Sequence, residues 1–154
     1  MKGLSKGWML GLAGITLLGV GGCSSTNPIY PEPKITDDVK AVMAMKDPVT
    51  QKTLAELFTQ YQGCRPESKV WEEMEPEVIF FTCEAPKGGM IQFIWTGNAK
   101  KGFKLRESVI TNMADQEWSA TNFRGPEGEK KFDMIRQNRP MIEERSQAQI
   151  FGPG

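Results

Sequence analysis

The chain has 154 residues, enough for one modest domain and too few for two of ordinary size. Its 19 Lys+Arg balance 19 Asp+Glu, which excludes the global basic field of a nucleic-acid binder, while 25% charged residues beside four Trp and eight Phe exclude wholesale disorder. There is no histidine, so no Ser-His-Asp or Cys-His nucleophile and no His-ligated metal or haem site can be assembled.

The first element is a targeting segment, residues 1–22. It carries Lys2 and Lys6 and no acid, followed by an apolar stretch from Trp8 to Val20, the order of a secretory signal. Those 13 residues make about 20 Å of helix, short of the roughly 20 residues that cross a hydrocarbon core, so a transmembrane anchor is not expected. The stretch ends in Val20-Gly21-Gly22-Cys23, which resembles the lipobox of bacterial lipoproteins, with Val where Leu is commoner. The resemblance implies a diacylglyceryl group and an N-acyl chain on Cys23, cleavage ahead of it by signal peptidase II, and no other cofactor. Ser24, in place of Asp, implies delivery to the outer membrane of a Gram-negative cell, facing the periplasm; the inner membrane and the cell surface stay open. One acyl chain holds a protein only marginally, whereas several at one point hold it permanently. The processed chain would keep 17 basic against 19 acidic groups, net −2, with no polybasic patch for lipid headgroups. Cleavage by signal peptidase I, or an uncleaved stub, are the alternatives.

Residues 23–35 follow as the acylated Cys and a tether. Ser24 to Lys34 holds three prolines and no apolar period, and eleven residues in an extended state reach roughly 34 Å. The competing reading has Ile29 and Tyr30 pack onto the domain as an ordered arm. A folded domain is expected over 36–140, with a tail at 141–154.

Thr36 followed by Asp37 and Asp38 predicts an N-cap, with Val39, Val42 and Met43 as the apolar face of a short helix ending near Lys46. Asp47-Pro48 predicts the cap and first position of a second helix, whose Leu54, Leu57, Phe58 and Tyr61 recur at helical spacing and which Gly63 would end as C′. The period then changes. Ser68–Glu75, Glu77–Cys83, Met90–Thr96 and Phe103–Ile110 read as strands, with turns at 85–89 and 97–102, and Trp118–Phe123 as one more short strand. A helix near Glu129–Asn138, with Phe132 and Ile135 inward, stops before Pro140. The sum is an α+β domain: two N-terminal helices packed on an antiparallel β-meander of three to five strands, then a short C-terminal helix.

That order behind a lipid anchor resembles the small assembly lipoproteins of the outer-membrane protein insertion machinery. It is also similar to envelope lipoproteins in which a helix precedes V-x-F and Q-F strands, here Val78-Ile79-Phe80 and Ile91-Gln92-Phe93, over residues 36–110. A likeness of element order implies the fold and no particular chemistry.

With Cys23 acylated, Cys64 and Cys83 remain, and an exported compartment favours their oxidation to one disulfide. It would close a loop of about 20 residues and contribute about 3 kcal/mol in the chain-entropy account. Reactive or metal-binding thiols are the alternative, against the absence of a C-x-x-C spacing.

Four constellations invite a functional reading. Glu72, Glu73, Glu75 and Glu77 around Trp71 are the materials of a glycosidase, although acids along a strand commonly guard its edge. Lys100, Lys101 and Lys104 near a hairpin turn would suit anionic headgroups, or serve solubility alone. Trp118 among Asp115, Gln116, Glu117 and Ser119 is the candidate exposed contact, while Trp95 belongs to the core. Gly88-Gly89 and Gly125-Pro-Glu-Gly128 are turns without a phosphate-loop pattern, and no calcium loop is present, so no metal is expected. The expectation is therefore a non-enzymatic, lipid-anchored envelope protein whose domain docks another protein of an assembly, secretion or maintenance complex, with no nucleic-acid partner and its oligomeric state open. Two alternatives stand beside it. One is a ligand-binding or hydrolase-inhibitor lipoprotein, since the small lysozyme-inhibitor lipoproteins also pair a lipobox with a disulfide near a V-x-F-x-C-like strand; this chain reads V-I-F-F-T-C and lacks their Ser-Gly loop. The other is a carboxylate-dependent hydrolase using Glu72 to Glu77.

Overall fold

Thr36 opens the first helix, α1 (Asp37–Ala44): its hydroxyl accepts the Val39 amide at 3.3 Å, and Asp37 and Asp38 sit in the positive first turn. The structure, a computed structural model, describes residues 31–114 and 117–142. The signal segment, Cys23, the tether to Tyr30 and residues 143–154 lie outside the described residues. The chain divides into two units, Met1–Pro31 and Glu32–Gly154, and the fold below is that of the second.

The second helix, α2 (Leu54–Gln60), starts later than Asp47-Pro48 predicts. Asp47 instead closes a turn, its carboxylate accepting the Thr50 amide at 2.8 Å and the Thr50 hydroxyl at 2.7 Å. The helix begins at a capping box, in which Thr53 Oγ1 accepts the Glu56 amide and Glu56 Oε2 accepts the Thr53 amide at 2.7 Å. Two amides are satisfied reciprocally at Thr53, whereas Asp47 has spent its oxygens on the turn, so the box decides the start. Gly63 is not a C′ residue either. The helix ends at Gln60, and Gly63 is needed because a Cβ there would lie 2.2 Å from the Tyr61 ring. Lys69 caps this end, its ammonium donating to the Thr59 and Tyr61 carbonyls at 2.7 and 2.8 Å, and burial lowers its pKa.

Five strands follow: β1 (Val70–Glu75), β2 (Val78–Glu84), β3 (Met90–Asn98), β4 (Gly102–Ala114) and β5 (Glu117–Arg124). They form one antiparallel sheet in sequence order, the expected meander at its upper strand number, and α3 (Pro126–Arg136) follows. Helix α3 starts at Pro126 because a proline at the first position forfeits no bond there. The β1–β2 reversal needs only Pro76 and Glu77, the latter at φ +65. At the β3–β4 turn Gly97 is obligatory: its φ is +132, and a Cβ would lie 2.0 Å from the Gly102 carbonyl oxygen.

The three α-helices among the described residues bury their apolar residues on one sheet face, where Ile79, Phe81, Cys83, Ile91, Phe93 and Trp95 meet Val39, Val42, Leu57, Phe132 and Ile135. Phe58 is the centre, its ring 4.2 Å from Phe81 and 5.3 Å from Trp71 and Phe93. Such aromatic pairs add about 0.5–1.5 kcal/mol each beyond area burial. Cys64 and Cys83 form the expected disulfide, Cα atoms 5.7 Å apart, tying the segment after α2 to the end of β2. Packing runs on to Met141 and Ile142 because the Tyr61 hydroxyl donates to the Arg139 carbonyl at 2.9 Å and accepts the Met141 amide at 3.2 Å.

Candidate functional site

Alternation along the strands defines the second face of the sheet. Its register aligns a row Glu72–Phe80–Ile94–Glu107–Arg124 and a row Val70–Thr82–Gln92–Val109–Asn122. Among the described residues no helix contributes to this face, and Ile94, although buried, stands outside the core cluster on the helix side.

One charge is sunk into it. The Glu107 carboxylate is nearly inaccessible, held by Arg124 Nε at 2.8 Å, Arg106 Nη2 at 3.1 Å and the Asn122 amide at 3.3 Å. The Arg124 hydrogen bond outweighs the cost of burial and, with both guanidinium charges and Asn122, holds the carboxyl below the usual range. Arg106 reaches it because Ile94 faces Glu107 while Trp95 faces Leu105, which makes Arg106 the extra residue of a bulge.

Trp118 lies on the same face near the start of β5 and is 61% exposed; Met90 is 38% exposed. Both line a groove of about 440 Å³ with Arg65, Glu84, Gly88, Gly89 and Thr111. Gly89, at φ +93, lets the β2–β3 turn close onto β4, since a Cβ would stand 2.8 Å from the Thr111 carbonyl oxygen. This is an amphipathic, partly apolar recess.

The lysines are elsewhere. Lys100 and Lys101 sit in the β3–β4 turn, their amides bonded to Asn98 Oδ1, with Lys101 3.9 Å from Glu77, and Lys104 is exposed on β4. Trp118 pairs with Met113, nine residues along β4 from Lys104 and so about 30 Å away. The structure does not bring them into one site.

The glutamates are split between two faces: Glu72 faces Phe80 and, across the bulge, Glu75 faces Val78 on the same side of β1, Glu73 faces Ile79 on the other, and Glu77 holds the Asn98 side chain across the turn. Paired-carboxylate hydrolysis needs both groups flanking one bond. The described residues contain no group of three or more Cys, Asp or Glu placed to hold a metal ion.

Sequence reasoning missed the most connected ion pair. Asp47, buried, meets Arg136 Nη2 at 2.8 Å and Nε at 2.9 Å; the guanidinium also bonds Asp133 and lies 4.5 Å over the Phe132 ring. Burial opposes both charges and is outweighed, the Asp47 carboxyl being lowered by Arg136 and Thr50 and the Arg136 pKa raised by Asp47 and Asp133. A recess of about 230 Å³ opens beside it over Trp95, Leu105 and Phe132. Every polar group of the pair is satisfied within the protein, so it is a staple between the α1–α2 turn and α3. In the sequence Asp47 reads as a helix cap, and its partner is 89 residues away, beyond any local signal. One buried hydroxyl, Ser108 Oγ, has no hydrogen-bond partner among the described residues, and its residue pairs with Phe93 and Phe123.

No protein-family model matches the chain, and neither a curated protein nor a solved structure matches it.

Proposed function

We propose that this chain is a bacterial lipoprotein, anchored by acyl chains on Cys23 in the outer membrane with its domain in the periplasm, and that the domain is a non-enzymatic docking module for another envelope protein. The observation that carries the docking role is the second sheet face: among the described residues helices bury one side only, and the other ends in the recess between exposed Trp118 and Met90. Large apolar side chains rimmed by charge, here Arg65 and Glu84, are the composition of a protein-contact patch. The anchor raises the local concentration of the module at one membrane, so a modest patch suffices.

The supporting chemistry is consistent in kind. The acids of β1 are divided between two faces, and the buried charges Asp47 and Glu107 are each neutralised by arginine, which leaves a recognition surface as the best use of what is exposed.

A pull-down from detergent-solubilised envelopes tests the reading. A stoichiometric envelope complex, weakened by Met90→Lys on the open face and reduced when Cys23→Ser removes the anchor, is the expected result. A soluble hydrolase as sole partner would turn the reading to an inhibitor. Unmodified Cys23 in the mass spectrum would remove the anchor.

A further inference from the structure

We infer that β5 is a self-association edge, through which two copies of this chain pair antiparallel about a two-fold axis at Thr121. The two edges of the sheet are built differently. β1 carries Glu72, Glu73 and Glu75, a bulge at Met74, and a Glu73 amide already bonded to the Lys34 carbonyl at 3.0 Å. Those are devices that stop strands from adding to an edge. Among the described residues β5 has no bulge and no outside bond of that kind, and its charges, Glu117 and Arg124, stand only at its two ends. From Trp118 to Asn122 it holds no charge, proline or bulge, every residue is exposed, and its register with β4 is unbroken from Arg124 to Glu117. A regular edge of this length offers a row of outward amides and carbonyls to another strand.

The side chains select a second copy as that strand. A two-fold perpendicular to the sheet is the symmetry that pairs an edge with itself antiparallel and keeps both helix layers on one side. With the axis at Thr121, Trp118 stands opposite Arg124 of the second copy, and the match occurs twice. Ala120 stands opposite Asn122 and Ser119 opposite Phe123. Trp118 and Arg124 share the face away from the helices, since Arg124 bonds Glu107 there while Phe123, between them in parity, lies under Lys131 of α3. Both side chains are mostly exposed, so a guanidinium over an indole is available at each end of the pair. Moving the axis to Ala120 sets Trp118 against Asn122 and Glu117 against Phe123, which matches no cation to a ring. The result is a continuous ten-stranded sheet whose open face is doubled.

A contact of seven residues a side is small beside the roughly 1,200–2,000 Å² of a stable soluble complex. Confinement to one membrane supplies the missing concentration, and to that extent the inference rests on the anchored reading above.

The test is disulfide trapping in membranes from cells making the full chain. In Thr121→Cys, the new thiols face each other across the axis, where opposed Cα atoms in antiparallel strands are about 4.5–5.5 Å apart, within disulfide range. Air oxidation with a copper catalyst should convert most of this variant to a dimer on a non-reducing gel. In Ser119→Cys the two thiols would be about 13 Å apart along the strand, and no dimer should form. Adding Trp118→Ala to Thr121→Cys should cut the dimer yield several-fold. Absence of a dimer at 121, or equal yields at 119 and 121, overturns the pairing. Failure of the anchor reads differently: the chain would leave the membrane fraction, and trapping of the purified chain at high concentration then decides the pairing by itself.

Discussion

Asp47 and Arg136, 89 positions apart, meet at 2.8 Å and hold the α1–α2 turn against α3. Arg136 is 14% exposed and Asp47 is fully enclosed, so losing one partner strands the other. Arg136→Ala should destabilise the domain by about 3–5 kcal/mol, and Asp47→Ala by a similar amount, with the double variant costing less than the sum. Urea denaturation of the four proteins measures the coupling.

Acid should act through the same carboxylates. Asp47 and Glu107 titrate below their unfolded values, so their stabilisation is complete above the unfolded carboxyl range near pH 4 and is lost as pH falls through the lower folded values. Wild-type stability should therefore drop below about pH 4, and the drop should shrink in Asp47→Ala. An unchanged acid limb in that variant would show that Asp47 carries none of it.

Tyr61 predicts the opposite limb. Burial pushes its phenol up to about 12, against about 10 in the unfolded chain. The unfolded state ionises first, so stability is intact below pH 10 and falls by about 1.4 kcal/mol per pH unit between the two values. Tyr61→Phe removes both that limb and the bonds to Arg139 and Met141, at about 1–3 kcal/mol. Thermal unfolding from pH 9 to 12 checks it.

Reduction of the Cys64–Cys83 bond, or Cys64→Ser, should cost about 2–4 kcal/mol and lower the thermal midpoint by several degrees. Equal midpoints in the two redox states would mean that the packing of β2 holds the closed loop unaided.

Ser108 predicts a gain. Its buried hydroxyl has no partner among the described residues, so Ser108→Ala should be neutral or stabilising by up to about 1 kcal/mol, read as the denaturation midpoint.

Much of this fold was legible because its signals are local. Leu54, Leu57, Phe58 and Tyr61 follow the helical period, Ile91, Phe93 and Trp95 the strand period, and the structure buries all seven. The helix starts were harder. Asp47 reads as the cap because Pro48 follows it, whereas Thr53 has Glu56 three places on and closes the capping box that starts the helix. Gly63 was misassigned because its reason is a ring two residues back and not a backbone angle. The face carrying Trp118 could be named only as an exposed tryptophan; that it shares a recess with Met90 and Arg65 depends on strand register, which no short window contains.

The bond from the Glu73 amide to the Lys34 carbonyl fixes where the leading end of the chain joins the sheet. That attachment lies four strand spacings, about 19 Å, from β5. If the front of the chain is moored as proposed, tension on it would be delivered to β1 and to the α1 layer beside it, while the far flank, where the inferred self-contact would form, stays out of the load path.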